Sequence, residues 1–169
     1  MSSGALLGRF QPIHKGHLWV LRKLLSECDE AIVVIGSAQA SHEPDNPFSA
    51  GERYEMVRAC LSKEEMARVA IVPLEDLNRY PLWAAHVRSR CPSFQRVYTR
   101  NPLTAALFRD AGYEVVEHEH HRKELYSGTE VRRRMIAAEP WKELVPPGAV
   151  QVIERIRGEE RVRRLAIRS

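Results

Sequence analysis

Cysteine is scarce in this 169-residue chain: Cys28, Cys60 and Cys91 are odd in number, far apart, and never form a Cys-x-x-Cys pair. That spacing speaks against a disulfide framework and a cysteine zinc site, leaving the three as small apolar filler in a reducing compartment. No apolar run approaches the roughly 20 residues a membrane span needs. The amino terminus, MSSGALLGRF, lacks a basic region followed by a long apolar stretch. A soluble, cytoplasmic protein is expected. Internal repeats, low-complexity tracts and linkers are also missing, so residues 1–169 read as one domain, long enough to bury a core without disulfides or metals.

The net charge of +4 is modest, and much of the positive excess lies in RIRGEERVRRLAIRS at the carboxyl end. Glu154, Glu159 and Glu160 are interleaved with those arginines, which favours a solvated helix face or a subunit contact over nucleic-acid phosphates.

What is present is a repeating alternation. Runs of Val, Ile and Leu at Ala5–Leu7, Ala31–Ile35, Val69–Leu74, Val97–Tyr98 and Tyr113–Val116 are short and unalternated, like strands buried on both faces. Helical spacing fills His17–Cys28, Ala50–Leu61, Leu82–Arg90 and Leu103–Ala111. Strand followed by helix, repeated, predicts a mostly parallel, doubly wound α/β sheet with helices on both faces. Ser49–Glu52 and Ser127–Glu130 fit capping boxes and mark helix starts. Gly112 ends a helix, and Pro146-Pro147-Gly148 separates a helix near Trp141 from one over Ala149–Arg157, with helices from about residue 147 packing on the domain.

GRFQPIHKGH, residues 8–17, falls in the first strand-to-helix loop. In open parallel sheets that junction is where phosphates and nucleotides bind. Gly8 lets the chain turn, Pro12 stiffens the loop, and Gly16 permits close backbone approach. His14 and His17, three apart, can face one ligand and donate N–H to phosphate oxygens. On spacing alone, phosphate binding, a structural role and a metal site all stay open, although no cysteine or acidic residue follows at a familiar metal-ligand spacing.

YSGTEVRRRM, residues 126–135, places three arginines after a helix start, a second anion-binding pattern. Val131 and Met135 are four apart and form the buried stripe, while Thr129 and Arg132 share the face near the helix start. Arg132 is therefore the phosphate ligand of the three, and Arg133 faces solvent. Three solvated arginines on a surface helix would be the default for this segment standing alone.

Together the two stretches resemble the H-x-G-H and S-G-T-x-V-R signatures of nucleotidylyltransferases. With GSAQASHEPDNPFSAGER and NPLTAALF, the chain is similar to archaeal-type nicotinamide-nucleotide adenylyltransferases from about Leu6 to about Leu165. The resemblance implies a Rossmann-like domain that joins ATP to nicotinamide mononucleotide, giving NAD and pyrophosphate. It implies that Arg9, His14, His17 and Arg132 are catalytic phosphate contacts, and that ATP is held by Gly8, Arg9, Phe10, His14, His17, Ser127, Gly128, Thr129 and Arg132. The acceptor side would use Ser37, Asp76, Tyr80, Trp83 and Asn101, with Trp83 stacking on the nicotinamide ring. Mg2+ would ride on the triphosphate, held largely by the nucleotide, with no metal ligand from the protein. A homo-oligomer is also implied, hexamers being common in that family.

The chain departs from those relatives at Tyr80, where they tend to carry asparagine, and at Thr99 and Arg100, where they tend to carry serine and glycine. Asp45 stands at a position that is basic in some of them. Acceptance of the nicotinic acid nucleotide, or of another acceptor such as phosphopantetheine, therefore stays open, as does a nucleotide-binding module without turnover. His118, His120 and His121 read as a partly exposed loop beside the ATP site that could charge as pH falls toward 6.

Overall fold

The structure, a computed structural model, describes residues 1–117 and 122–168. His118, His120 and His121 lie outside them. The elements run β1 (Ser3–Gly8), α1 (Lys15–Glu27), β2 (Glu30–Ile35), α2 (Ala50–Ala59), α3 (Lys63–Met66), β3 (Val69–Pro73), α4 (Trp83–Arg90), β4 (Arg96–Tyr98), α5 (Pro102–Asp110), β5 (Glu114–Val116), α6 (Gly128–Ala137), α7 (Pro147–Arg155) and α8 (Gly158–Arg168). The sheet is wholly parallel in the order β3-β2-β1-β4-β5. β1 is central, and the chain winds outward from it first to one side and then to the other, which makes the β1/β4 boundary the topological switch point.

Alternation along the two inner strands divides the core. Leu6, Ala31, Val33 and Ile35 face one layer with Leu21 and Leu24 of α1, Met56 and Val57 of α2, Met135 of α6 and Ile153 of α7. Ala5, Ile32, Val34 and Val97 face the other, with Val87 of α4 and Phe108 of α5. Helices therefore cover both faces, the arrangement a parallel sheet requires.

Several expectations need correction. β3 is an edge strand and only half-buried, so a Val/Ile-rich run did not mean burial on both faces there. Around Trp141 the chain makes a single 3-10 turn, Lys142–Leu144, because Pro140 and Pro146 leave no room for a longer helix. Beyond it α7 starts at Pro147, a first-turn proline, and breaks at Arg157, whose φ of 57° separates it from α8. Ser127 caps α6 through Glu130 N–H, but the return half of the capping box is absent because Arg133 and Arg134 take the Glu130 carboxylate. The reading missed α3, which Ser62 and Glu65 cap reciprocally.

The Ser49–Glu52 box forms in both directions, and it does more than start α2. Arg161 of α8 grips both oxygens of Glu52, at 2.7 and 2.8 Å. Arg163 donates to the Met135 carbonyl of α6, so two arginines of the basic carboxyl-terminal stretch dock the last helix. Burial alone would raise the Glu52 carboxyl, but the Arg161 hydrogen bond and the Ser49 amide overcome it and hold its pKa at about 2. A carboxylate lowered in this way stabilises the fold above its ordinary value of 4.5, and that stability is lost as pH falls from there toward 2. Melting temperature should therefore fall more steeply between pH 5 and pH 3 in the native chain than in Arg161→Met. Equal slopes in thermal melts would exclude the coupling.

Candidate active site

The loops after β1, β2 and β4 meet above the carboxyl ends of the strands, at the switch point. Within residues 8–17 the turn falls at Phe10, with φ 54°, and not at the expected Gly8, which is still in β1; the Gln11–Pro12 peptide that follows is cis. Gln11 is buried, and its side-chain amide exchanges two 3.0 Å hydrogen bonds with the Phe48 main chain, tying the β1 loop to the β2 loop.

His14 caps α1, and His17 is the third helical residue. The His17 N–H donates to His14 Nδ1 at 3.3 Å, and the His14 N–H to His17 Nδ1 at 3.2 Å, so the two imidazoles form a reciprocal capping box and stack with ring centroids 3.7 Å apart. Because each Nδ1 accepts a backbone N–H, the ring proton of each sits on Nε2. Burial, then the charge of Arg100, lowers the pKa of His14 to about 3. Burial, then His14 and Arg100, takes His17 well below its usual range. Both rings are therefore neutral donors at physiological pH. Gly16 is required by the local packing as well: a Cβ there would lie 3.0 Å from the His14 ring and from Cβ of Tyr126, so the glycine makes room for the imidazole.

Both rings line a cavity of ≈ 290 Å3 with Gly8, Arg9, Phe10, Ser127, Gly128, Thr129 and Arg132. Among the described residues, Arg100 and Lys123 bring its cations to four, and no Asp or Glu lines it. Arg132 is buried and donates to the Gln11 carbonyl at 2.7 Å, with Asp45 at 3.9 Å on its other nitrogen. Gly128 allows that contact, since a Cβ there would lie 2.9 Å from the guanidinium. Arg133 is half-exposed and paired with Glu130 and Glu139, as its place on the helix predicted. Such a cavity is built for a polyanion.

A second cavity, ≈ 460 Å3, takes in Ser37, Asp76, Tyr80, Trp83 and Asn101. The Asp76 carboxylate is pinned by Ser37 Oγ at 2.8 Å and Gln39 Nε2 at 2.9 Å. Asn101 caps α5 through the amides of Leu103 and Thr104. Tyr80 is 65% exposed and stands at the rim, so a phenol is accommodated there without displacing Trp83. Leu7, Gly8, Arg9, Thr99 and Asn101 line both cavities. The fourteen positions expected from the sequence form two sets, and each set falls in its own cavity, with Gly8, Arg9 and Asn101 at the seam.

Arg53 was missed. It is fully buried on α2, and among the described residues its guanidinium bonds only to main-chain carbonyls. Its place three before Met56 and four before Val57 puts it on the buried side of α2, but spacing alone does not name the carbonyls that hold it. Neither cavity is lined by a cysteine, and Ser127 Oγ is occupied accepting from Glu130 N–H.

Residues 5–134 match the cytidylyltransferase-like family. The chain belongs to that family. Among curated relatives, this cytidylyltransferase-like chain is 50% identical over 167 residues to a nicotinamide-nucleotide adenylyltransferase of Pyrococcus abyssi, covering 98% of this chain and 90% of the relative. It is 46% identical to the enzyme of that name from Picrophilus torridus, covering 95% of each, and 45% identical to that of Methanoculleus marisnigri, covering 98% of each. Among solved structures, a bifunctional NMN adenylyltransferase/ADP ribose pyrophosphatase of Francisella tularensis, complexed with AMP and a manganese ion, superposes with a TM-score of 0.78 at 20% identity over 97% of this chain and 51% of that one. NadR in complex with NAD and AMP-PNP gives 0.66 at 20% identity, covering 91% of this chain and 46% of that one. The chain thus spans about half the length of these structures, and the likeness establishes the Rossmann-like fold of the shared half.

Proposed function

We propose that the chain transfers AMP from ATP to nicotinamide mononucleotide, releasing NAD and pyrophosphate. The observation that carries the reading is the pair of cavities joined at Arg9, one lined by four cations and two neutral imidazoles, the other by an indole and a carboxylate. A phosphate oxygen of the mononucleotide attacks the α-phosphorus, and the bond to the β-phosphate oxygen breaks, its electron pair leaving with pyrophosphate. The attacking phosphate is ionised at neutral pH, so no side-chain nucleophile or base is needed, and positioning with charge stabilisation supplies the rate.

His14 and His17 donate from Nε2 to phosphate oxygens as charge builds on them. Arg132, held by the Gln11 carbonyl, and the amino end of α6 at Ser127–Thr129 hold the triphosphate, and Arg9 at the seam reaches both substrates. No group of three or more His, Cys, Asp or Glu among the described residues could hold a metal ion. Mg2+ would enter on the triphosphate oxygens and neutralise charge on the leaving group. Trp83 stacks on the nicotinamide, and Asp76, Ser37, Tyr80 and Asn101 bound its pocket. Among the described residues no helix is long and apolar enough to cross a membrane, and the three thiols are unpaired, which suits a reducing cytoplasm. A homo-oligomer is the expected assembly, hexamers being common among the relatives it resembles, and sedimentation would size it.

Purified protein with ATP and Mg2+ is offered nicotinamide mononucleotide, nicotinic acid mononucleotide or phosphopantetheine separately, and dinucleotide and pyrophosphate are followed. NAD formation supports the reading. Pyrophosphate from another acceptor keeps the ATP half and overturns the acceptor, while no turnover, with salt-dependent DNA binding, would favour a binding module. Trp83→Ala is expected to raise KM for nicotinamide mononucleotide by about 10-fold, the scale of a lost ring-stacking contact, with KM for ATP unchanged. An unchanged acceptor KM would remove Trp83 from the pocket.

A further inference from the structure

We infer that Arg53 is a positioning residue that locks the loops after β1 and β2 into one unit, so that donor and acceptor phosphates meet in register. This inference rests on the adenylyl-transfer reading. The guanidinium donates to five carbonyls: Arg9 at 2.9 Å, Gly36 at 2.8 Å, Ser37 at 3.0 Å, Ala40 at 3.3 Å and Ser49 at 3.2 Å. It forms no salt bridge among the described residues, and it is fully buried. A buried cation without a carboxylate is expensive, and an apolar side chain would fill the same space at lower cost. What an apolar side chain could not do is draw carbonyls from two loops onto one plane.

The loop after β2 is shaped to that end. Ser37 takes φ 50°, in the left-handed region, and the carbonyls of Gly36, Ser37 and Ala40 all reach the guanidinium. Arg9 lines both cavities, and Ser37 holds Asp76 in the acceptor cavity. One side chain therefore sets the main chain beneath the donor-side cation and the acceptor-side wall together. A misplacement of about 1 Å at such a junction costs on the order of 100-fold in rate.

Arg53→Lys keeps the charge but cannot span five acceptors, and Arg53→Gln keeps donors without the charge. Each is expected to lower kcat about 100-fold while KM for ATP moves less than about 3-fold. In an Arg9→Ala background, Arg53→Lys should cost less than it does in the native chain, because the share of its effect that passes through the Arg9 side chain is already lost while the share through Ser37 remains. Full multiplication of the two losses, or a raised KM with kcat intact, overturns the proposal. Backbone amide exchange in the native chain gives a readout independent of turnover and of whether the variants fold. ATP with Mg2+ alone should slow exchange at residues 9–10 and at 37–40 together; protection confined to the first loop overturns the clamp. Absence of NAD formation would overturn the reaction and leave this second readout standing.

Discussion

Replacing His17 with alanine will lower kcat/KM for dinucleotide formation by about 100- to 1,000-fold, the usual cost of removing one fixed donor from a developing phosphate charge. The effect is this large because the ring is fixed before substrate arrives. Its Nδ1 is held by the His14 amide, it stacks on His14, and Phe10 lies against its other side with centroids 4.4 Å apart. Nothing has to reorganise for Nε2–H to donate. A second part of the result concerns acid. With His14 lowered to about 3 and His17 also lowered, neither ring gains a proton as pH passes 6.5, so the pair imposes no rate change between pH 7 and pH 5. Steady-state kinetics across that range check both points. An undiminished rate in His17→Ala, or a step near 6.5 that the substitution removes, would show that the ring acts otherwise.

The largest expected effect on stability comes from a glycine far from the chemistry. A Cβ at Gly148 would lie 2.0 Å from the Ala59 carbonyl oxygen and 2.6 Å from its carbon. Both atoms are backbone, so neither can swing aside. Gly148→Ala must drive α7 away from α2, and overpacking of that kind is expected to cost about 3 kcal/mol or more. Ordinary helical propensity predicts the opposite sign, since alanine is the better helix former. Gly51 is the matched control: it too is in a helix, a Cβ there meets nothing within 4 Å, and Gly51→Ala should stabilise by about 0.5 kcal/mol. Urea denaturation of the two variants reads the contrast directly, and a neutral Gly148→Ala would show that the α2–α7 contact yields.

How far the sequence carried depends on whether a feature is local. Short apolar runs flanked by helical spacing located all five strands to within a few residues; for β1, β2 and β4 the reason is that an inner parallel strand has no polar face to show, while the edge strands β3 and β5 carry the same kind of run but are only partly buried. The two stretches 8–17 and 126–135 were legible as strand-to-helix or loop-to-helix junctions for the same reason: each is a loop and the first turn of one helix. The mutual capping of His14 and His17 has the spacing of a capping box, but imidazoles are not the residues that pattern is known by. The burial of Arg53 was out of reach, since its carbonyl partners at Arg9, Gly36, Ser37 and Ala40 come from two other loops and only folding assembles them. The helix α3 was missed because it buries none of its residues and so lacks an apolar stripe.

The grip of Arg161 on Glu52 has a practical side. Glu52 closes the start of α2, and the next residue along that helix is Arg53, so a chain of bonds links the last helix to the main chain of Arg9 and Ser37, which line the cavities. A fluorescent protein or surface tether fused directly to the carboxyl end would pull on that path with every fluctuation. The amino end is bonded instead to the amino-terminal ends of β1 and β2, opposite the cavities, through Ser2 and Asp29. A sensor or immobilised catalyst built from this chain should be attached there.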